Sequence, residues 1–276
     1  MRHLIPPDLA GPGPGPREAP GAPAARGLWN SGARRDTQAP MTRTLRVASY
    51  NLHKGRGMVG PHAPERNLQV IADLDADIVA LQEVDFRFGG RPEALPRGMI
   101  REATGMVPAP HVATSGQSLG WHGQTILMRP ELAAGANVRR LPLPGIEPRG
   151  ALALRLAAPD ARGLTVIVMH LGLARSSRRA QLARLIAKAV RISGQDFVMT
   201  GDFNEWHDDR GLESLAGLQV VAPGPSWPAP WPMLRYDRLA LSAGLTLHAS
   251  GVHDSPLARR ASDHLPIWAD IALSAP

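Results

Sequence analysis

From residue 41 onward the chain is cut into short apolar runs, each flanked by a polar cluster. Four of these runs are Leu45–Ala48, Ile78–Leu81, Phe197–Met199 and Leu265–Ala269. The clusters beside them are Ser49-Tyr50-Asn51, Leu81-Gln82-Glu83, Thr200-Gly201-Asp202-Phe203-Asn204 and Ser262-Asp263-His264. Apolar runs of this length, bounded by turn-forming residues, read as buried strands. Polar residues at the tips of several central strands are how a rigid sheet assembles a site from distant positions.

The remaining pattern is of the same kind. Leu45–Tyr50 and Asp77–Val84 are predicted strands, and strand-like runs recur at Thr125–Met128, Ala151–Leu156, Leu164–Met169, Asp196–Met199, Leu239–Leu241 and Ile267–Ile271. Glu65–Leu74 reads as a helix with Leu68, Ile71 and Ala72 on one face. Ser176–Arg191 reads as another, with Leu182, Leu185, Ile186 and Ala189 at helical spacing. Strands outnumber helices and several are joined by turns. The pattern predicts an α/β or α+β domain of two packed sheets with helices outside.

Residues 1–40 differ in kind. Gly11-Pro12-Gly13-Pro14-Gly15-Pro16 and Pro20-Gly21-Ala22-Pro23 cannot sustain a helix or a strand ladder. They are expected to form a disordered tail, with the domain spanning 41–276 and Met41 an alternative start. The tail carries a net charge of only +2, from five arginines against Asp8, Glu18 and Asp36, so it is not read as a basic arm.

Composition narrows the chemistry. A hydrophobic content of 43% is ample for a core, and the absence of cysteine excludes disulfides and thiolate-ligated zinc or iron–sulfur centres. No apolar stretch reaches the length of a membrane span, and Met1–Pro7 lacks the apolar segment of a secretory signal. A cytoplasmic, monomeric protein is the expectation. The 31 Lys and Arg against 24 Asp and Glu leave +7. That balance suits an anionic partner (nucleic acid, a phosphorylated metabolite or a lipid headgroup), or simply reflects bias toward Arg, Ala, Pro and Gly.

Each polar cluster has a chemical and a structural reading. In Gly201-Asp202-Phe203-Asn204, an acid and an amide project from a strand tip; they can handle a water proton and a phosphate oxygen, or serve an ordinary turn. Glu83 is either a surface end residue or a ligand for a hard cation. Magnesium takes one or two carboxylates plus waters and substrate phosphate, a count that Glu83 and Asp263 meet. Asp263-His264 places a metal ligand beside a titratable imidazole, or a capping Asp beside a core histidine. If His264 works as an imidazole base or donor it needs a carboxylate, and Asp237 is better placed than adjacent Asp263, which points the other way in an extended segment. His170 ends another apolar run, and Arg149 either clamps a phosphate through its planar fork or is a surface residue. The face Arg184, Lys188, Arg191 is read as solvated.

Taken together, Asn51, Glu83, His170, Asp202/Asn204 and Asp263/His264 resemble the endonuclease/exonuclease/phosphatase superfamily over about residues 44–274. Asn51-Leu52-His53-Lys54-Gly55, His170-Leu171-Gly172-Leu173 with Arg178 and Gln181, and Tyr236-Asp237-Arg238-Leu239 are similar to a small bacterial subgroup of it. The resemblance implies a four-layer α/β/β/α sandwich. It implies Glu83 as the main magnesium ligand with Asn51 and Asp263 nearby, manganese being a substitute. It implies Asp202 for the attacking water, Asn204 and His170 against the phosphate, His264 at the transition state and Asp237 as its orienting carboxylate. Arg149 is a further phosphate contact. Two positions depart from the pattern: His53 stands where abasic-site nucleases carry Asp, and Gly123-Gln124 stands where members often carry Gly-Asn.

The expected activity is magnesium-dependent hydrolysis of a phosphodiester in nucleic acid, lipid or a small molecule. A phosphomonoesterase acting on a phosphorylated metabolite or inositol phosphate, and a non-catalytic binding module, are the alternatives. A zinc enzyme is disfavoured because the ten histidines contain no His-Glu-x-x-His spacing. Ser226-Trp227-Pro228-Ala229-Pro230-Trp231-Pro232 is expected beside the site, where Trp227 and Trp231 either form a rim for a lipid-like substrate or pack on the sheet.

Overall fold

The computed structural model describes residues 44–110, 112–156, 163–193, 196–208 and 210–273; the expected tail and the boundary at Met41 lie outside them. The first half of the chain contains β1 (Leu45–Asn51), α1 (Pro64–Asp73), β2 (Ile78–Gln82), α2 (Arg97–Thr104), β3 (Val107–Pro108), β4 (Gln124–Met128) and β5 (Asn137–Leu143). The second contains β6 (Arg149–Arg155), β7 (Thr165–His170), α3 (Arg175–Ser193), β8 (Phe197–Asp202), β9 (Gln219–Val221), β10 (Asp237–Leu241), β11 (Leu245–Val252), α4 (Ala258–Ala261) and β12 (Ile267–Leu273).

These strands form two six-stranded mixed sheets, ordered β11-β12-β1-β2-β4-β3 and β5-β6-β7-β8-β10-β9. Three apolar cores separate four layers. Between the sheets lie Val47, Ile78, Ala80 and Ile126 from one and Leu152, Val166, Val168 and Leu239 from the other. Alternate residues of the first sheet, Ala48, Tyr50, Val79 and Leu81, turn outward onto Leu68 and Ile71 of α1. On the far side Ile167, Met169 and Met199 meet Leu182, Leu185 and Ala189 of α3. Central strands are therefore apolar on both faces, which is why they were visible as continuous runs. Each Leu or Ile fully buried this way contributes roughly 1.5–3 kcal/mol. The result is the α/β/β/α sandwich.

Local chemistry fixes the ends. Pro64 at the first turn and Glu65 beside it start α1, and buried Asn67 ties the helix inward by donating to Tyr50 Oη at 3.1 Å and to the Ala261 carbonyl at 3.0 Å. β12 begins at Ile267 rather than Leu265, because Pro266 has no N–H to donate to a ladder.

Parallel pairing sets the polarity of the site. β1 and β2 run parallel with Asn51 opposite Gln82, and β7 and β8 run parallel with His170 opposite Asp202. β10 is antiparallel to β8 and starts at that same end, with Asp237 opposite Asp202. Gly201 permits the approach of β7: a β-carbon there would lie 1.9 Å from the Met169 carbonyl oxygen, and its φ is +147°. Gly201→Ala is therefore expected to lower the unfolding free energy by at least about 2 kcal/mol, read as a shifted urea midpoint at unchanged slope. An unshifted midpoint would show that β7 moves aside without cost.

Candidate active site

The two sheets touch through polar groups at this end. Asn51, the last residue of β1, donates from Nδ2 to Asp202 Oδ2 at 3.2 Å, and both are buried. Ser262 Oγ donates to the Asn51 carbonyl at 2.6 Å and accepts from the His264 N–H at 3.3 Å. That pair of bonds draws Asp263 and His264 to the end of β1. Three of the four expected segments are thus bonded to one another here.

Asp202 is the hub. Besides Asn51, its Oδ2 lies 3.4 Å from His170 Nε2 and 3.6 Å from His264 Nε2, while Oδ1 accepts the Asn204 N–H at 2.8 Å. His264 Nδ1 lies 2.8 Å from Asp237 Oδ2, which also accepts from Ser226 Oγ at 2.6 Å. The carboxylate accepts, so Nδ1 carries a proton and Nε2 faces Asp202.

Environment gives the two imidazoles opposite characters. Burial would lower His264, but Asp237 and Asp202 outweigh it and raise its pKa to about 10. Burial also lowers His170; Asp202 opposes this only in part, Arg149 adds to it, and the value falls to about 4. At neutral pH one imidazole is a cation and the other a neutral group. Burial pushes the Asp202 carboxyl above the ordinary carboxylate range, against the pull of both histidines.

Two expected phosphate contacts are engaged elsewhere. Asn204 has a left-handed backbone (φ 51°), and its Nδ2 donates to the Leu171 carbonyl at 2.9 Å. Arg149 is buried at the start of β6, not a surface residue, and directs Nε and Nη2 to Glu147 Oε2 at 3.1 and 2.7 Å. Gln124, at the departure from Gly-Asn, donates across the sheets to the Gly150 carbonyl at 2.5 Å.

Glu83 also has a left-handed backbone (φ 55°), and its Oε2 accepts from Lys54 Nζ. Burial would raise its carboxyl, but His170, Lys54 and His53 outweigh that and bring it to about 2. Asp263 Oδ1 lies 3.8 Å from His53 Nδ1. Among the described residues no three His, Cys, Asp or Glu side chains form a group that could hold a metal ion by themselves. Glu83, Asp263 and the Asn51 amide oxygen are hard donors of the number that a largely hydrated magnesium ion uses. The Lys54 ammonium is a cationic stand-in on the main carboxylate. The donor set fits such an ion.

A model of the endonuclease/exonuclease/phosphatase family matches residues 48–264. The chain belongs to that family. Members are generally metal-dependent phosphoester hydrolases. Similar solved structures include a family protein from Beutenbergia cavernae (20% identity, 84% of this chain and 72% of that one, TM-score 0.65). The catalytic domain of human Nocturnin with a bound sulfate anion is 19% identical, with 84% and 95% coverage and a TM-score of 0.61. A mannosyl-6-phosphatase from Bacteroides thetaiotaomicron is 18% identical, with 83% and 100% coverage and a TM-score of 0.62. At these identities the likeness establishes the fold. No curated protein sequence matches the chain.

Several residues beside the family set are given no role by the sequence, and Glu205, Trp206 and His207 do not enter its reading at all. Ser226 and Ser262 act through single hydroxyls, which carry no pattern. Tyr236 lies 6.3 Å from His264 between ring centroids, with Trp227 at 5.3 Å and Trp206 at 6.2 Å from it. Glu205 is 1% exposed and accepts from Arg178 Nη2 at 2.7 Å and pairs with His207 Nδ1 at 2.9 Å. Arg178 also donates to the Leu173 carbonyl, while buried Arg238 donates to the carbonyls of Glu205 and Arg235. This ionic knot binds the loop after His170 to the loop after Asp202.

Burial alone would raise Glu205, but Arg178 and His207 lower it to about 2. A depressed carboxyl stabilises the fold above its ordinary value near pH 4.5 and ceases to do so as pH falls toward 2. Glu205→Gln is expected to cost about 3 kcal/mol at neutral pH by stranding Arg178. The gap from the parent should narrow through that acid window in urea titrations. A gap that does not depend on pH would refute the assignment.

Proposed function

We propose that the protein is a magnesium-dependent phosphodiesterase that hydrolyses its substrate by in-line attack of water. The observation that carries this reading is the convergence of two imidazoles and an amide on buried Asp202. A phosphodiester repels hydroxide, so its equatorial oxygens need donors while a base manages the water proton. Asp202 accepts that proton as the water oxygen forms the new bond to phosphorus. His264, held by Asp237, presents an N–H to an equatorial oxygen as charge develops, and His170 orients another. The ester P–O bond breaks opposite the water, and the leaving alkoxide takes up a proton to depart as an alcohol. Bound by Glu83, Asp263 and Asn51, a magnesium ion would supply Lewis-acid polarisation of the phosphate and charge neutralisation at the leaving oxygen.

A diester fits the charge of the site better than a monoester. The fork of Arg149 is neutralised by Glu147, leaving the His264 imidazolium as the cation facing Asp202. That suits the single negative charge of a diester more than the dianion of a phosphomonoester.

The test is a magnesium-dependent comparison of bis-aryl phosphate, mono-aryl phosphate and supercoiled plasmid, with Asp202→Asn as the blank. Asp202→Asn and His264→Ala should each lower turnover of the diester by at least ~100-fold. Turnover within a few-fold of the parent would remove that residue from the mechanism, and faster cleavage of the monoester would overturn the diester reading.

Lys54 competes with the metal for Glu83. Lys54→Met is expected to tighten Mn²⁺ binding several-fold, followed by the EPR signal of the free ion, because a unit charge at contact distance is removed. Weaker binding in this variant would make Lys54 a supporter of the site instead of a competitor.

A further inference from the structure

Large apolar side chains exposed to solvent are unevenly distributed over the sandwich. Scattered single ones are ordinary; a set gathered on one face marks a docking surface. Of the ten that are exposed among the described residues, eight lie in loops at the catalytic end of the two sheets. Val59 follows β1, Phe88 follows β2, and Ile146 joins β5 to β6. Leu173 follows β7, Trp206 follows β8, and Trp231 precedes β10. Met58 and Met233 extend the first and last of these tips. Ile146, Val59 and Phe88 are 97%, 86% and 84% exposed. The other two, Val190 and Val220, sit on α3 and β9. Strand direction alone places all of those loops together: β1, β2, β7 and β8 end there, and β4, β6, β10 and β12 begin there.

Three of these tips carry charge of one sign, while in two of the others the acids Glu147 and Asp208 are paired with Arg149 and Arg238. Residues 55–61 contain Arg56 as their sole charged residue, residues 171–175 contain Arg175, and residues 222–236 contain Arg235. No carboxylate occurs in any of the three segments. The 222–236 loop is fixed to the site by the Ala229 N–H to Asp263 carbonyl bond at 2.7 Å and the Leu265 N–H to Ser226 carbonyl bond at 2.8 Å. The three tips that carry arginine and no acid hold Met58, Val59, Leu173, Trp231 and Met233, and such a combination matches an interface of acyl chain and anionic headgroup, not water. No helix among the described residues is long and apolar enough to cross a membrane.

We propose that the catalytic end of the sandwich is a peripheral docking face for an anionic phospholipid bilayer, and that the phosphodiester it presents to Asp202 and His264 belongs to a phospholipid in that surface. The second part rests on the phosphodiesterase reading above; the docking itself does not. Seating the rim in the headgroup layer brings a lipid phosphate to the mouth of the site without extracting the lipid into water. Trp227, which packs against Tyr236, is a wall of that mouth, and Trp231 is one of its tips.

The experiment is co-sedimentation of the Asp202→Asn protein, which leaves lipid intact, with phosphatidylcholine vesicles with and without phosphatidylglycerol. A Val59→Ser/Phe88→Ser/Ile146→Ser variant is compared in parallel. The parent should bind anionic vesicles more tightly than neutral ones, and added salt should weaken that preference. The triple variant should bind at least about tenfold less, since three apolar side chains no longer enter the interface. In the Asp202 background the same three changes should leave turnover of soluble bis-aryl phosphate unchanged while slowing phosphatidylglycerol hydrolysis in vesicles. Equal partition of parent and variant overturns the docking face. So does a dimer, seen by light scattering, that the three changes dissolve, because the face would then join two copies. Vesicle binding without any diester turnover sinks the phosphodiesterase reading and leaves docking intact. Turnover of the soluble diester without vesicle binding does the reverse.

Discussion

Asp202 is a carboxylate held out of water at the seam of two sheets, and the catalytic end is organised around meeting its needs. Removing such a group from water costs several kcal/mol unless donors surround it. The partners come from both sheets and from the segment before β12: Asn51 and the Asn204 N–H donate to it, and the imidazoles of His170 and His264 face it. Satisfying one acid therefore fixes how β1, β7, β8 and the 262–264 segment sit against one another. The second carboxylate, Asp237, is not an equivalent partner. It binds the far side of His264, which raises the imidazole's pKa and turns its Nε2 toward Asp202.

That arrangement is held by strain and by buried charge outside the site. Glu83 and Asn204 both adopt left-handed backbones, a conformation that costs a non-glycine residue of order 1–3 kcal/mol when its surroundings enforce it. His53 and Lys54 do the same immediately after β1. The Arg178–Glu205–Arg238 knot is the element that keeps Asn204 in this state. It locks the chain on both sides of the Asp202 tip while Asn204 Nδ2 is tied to Leu171. A rigid core alone would not suffice, because strand ends leave the sheet ladder where the site begins.

The central strands were legible in sequence because both of their faces are buried, so β1, β2, β4, β6 and β7 appear as apolar runs bounded within two residues of their ends, and β8 as a run that stops three residues short of Asp202. Edge strands were not. β5 reads Asn-Val-Arg-Arg-Leu-Pro-Leu and buries only Leu141 fully, and β11 is an edge strand with a bulge between Leu247 and Ala249. α2 escaped notice because Gly98 interrupts it and only Ile100 is buried. Within the site, the gathering of Asn51, His170, Asp202, Asp237 and His264 was legible from strand tips and from the resemblance to a family. The commitments of Arg149 to Glu147 and of Lys54 to Glu83 were not, because an ion pair depends on side-chain direction that no spacing reveals.

The same topology that assembles the acids and imidazoles also decides where specificity can reside. Parallel pairing of β1 with β2 and of β7 with β8 sends four connections out of one end of the sandwich, and the antiparallel neighbours bring the chain back into it. Residues at the strand tips are held by the cores, so the reacting groups vary little in position. The exposed side chains of the loops beyond them are free to vary in chemistry, since they take no part in the cores. Here the loops carry exposed Val, Phe, Ile, Leu and Trp with arginine at a cost in solubility that the fold itself does not require. A surface that takes no part in the cores and disfavours the free protein in water is explained only by what it meets, and in this molecule it surrounds the mouth of the site.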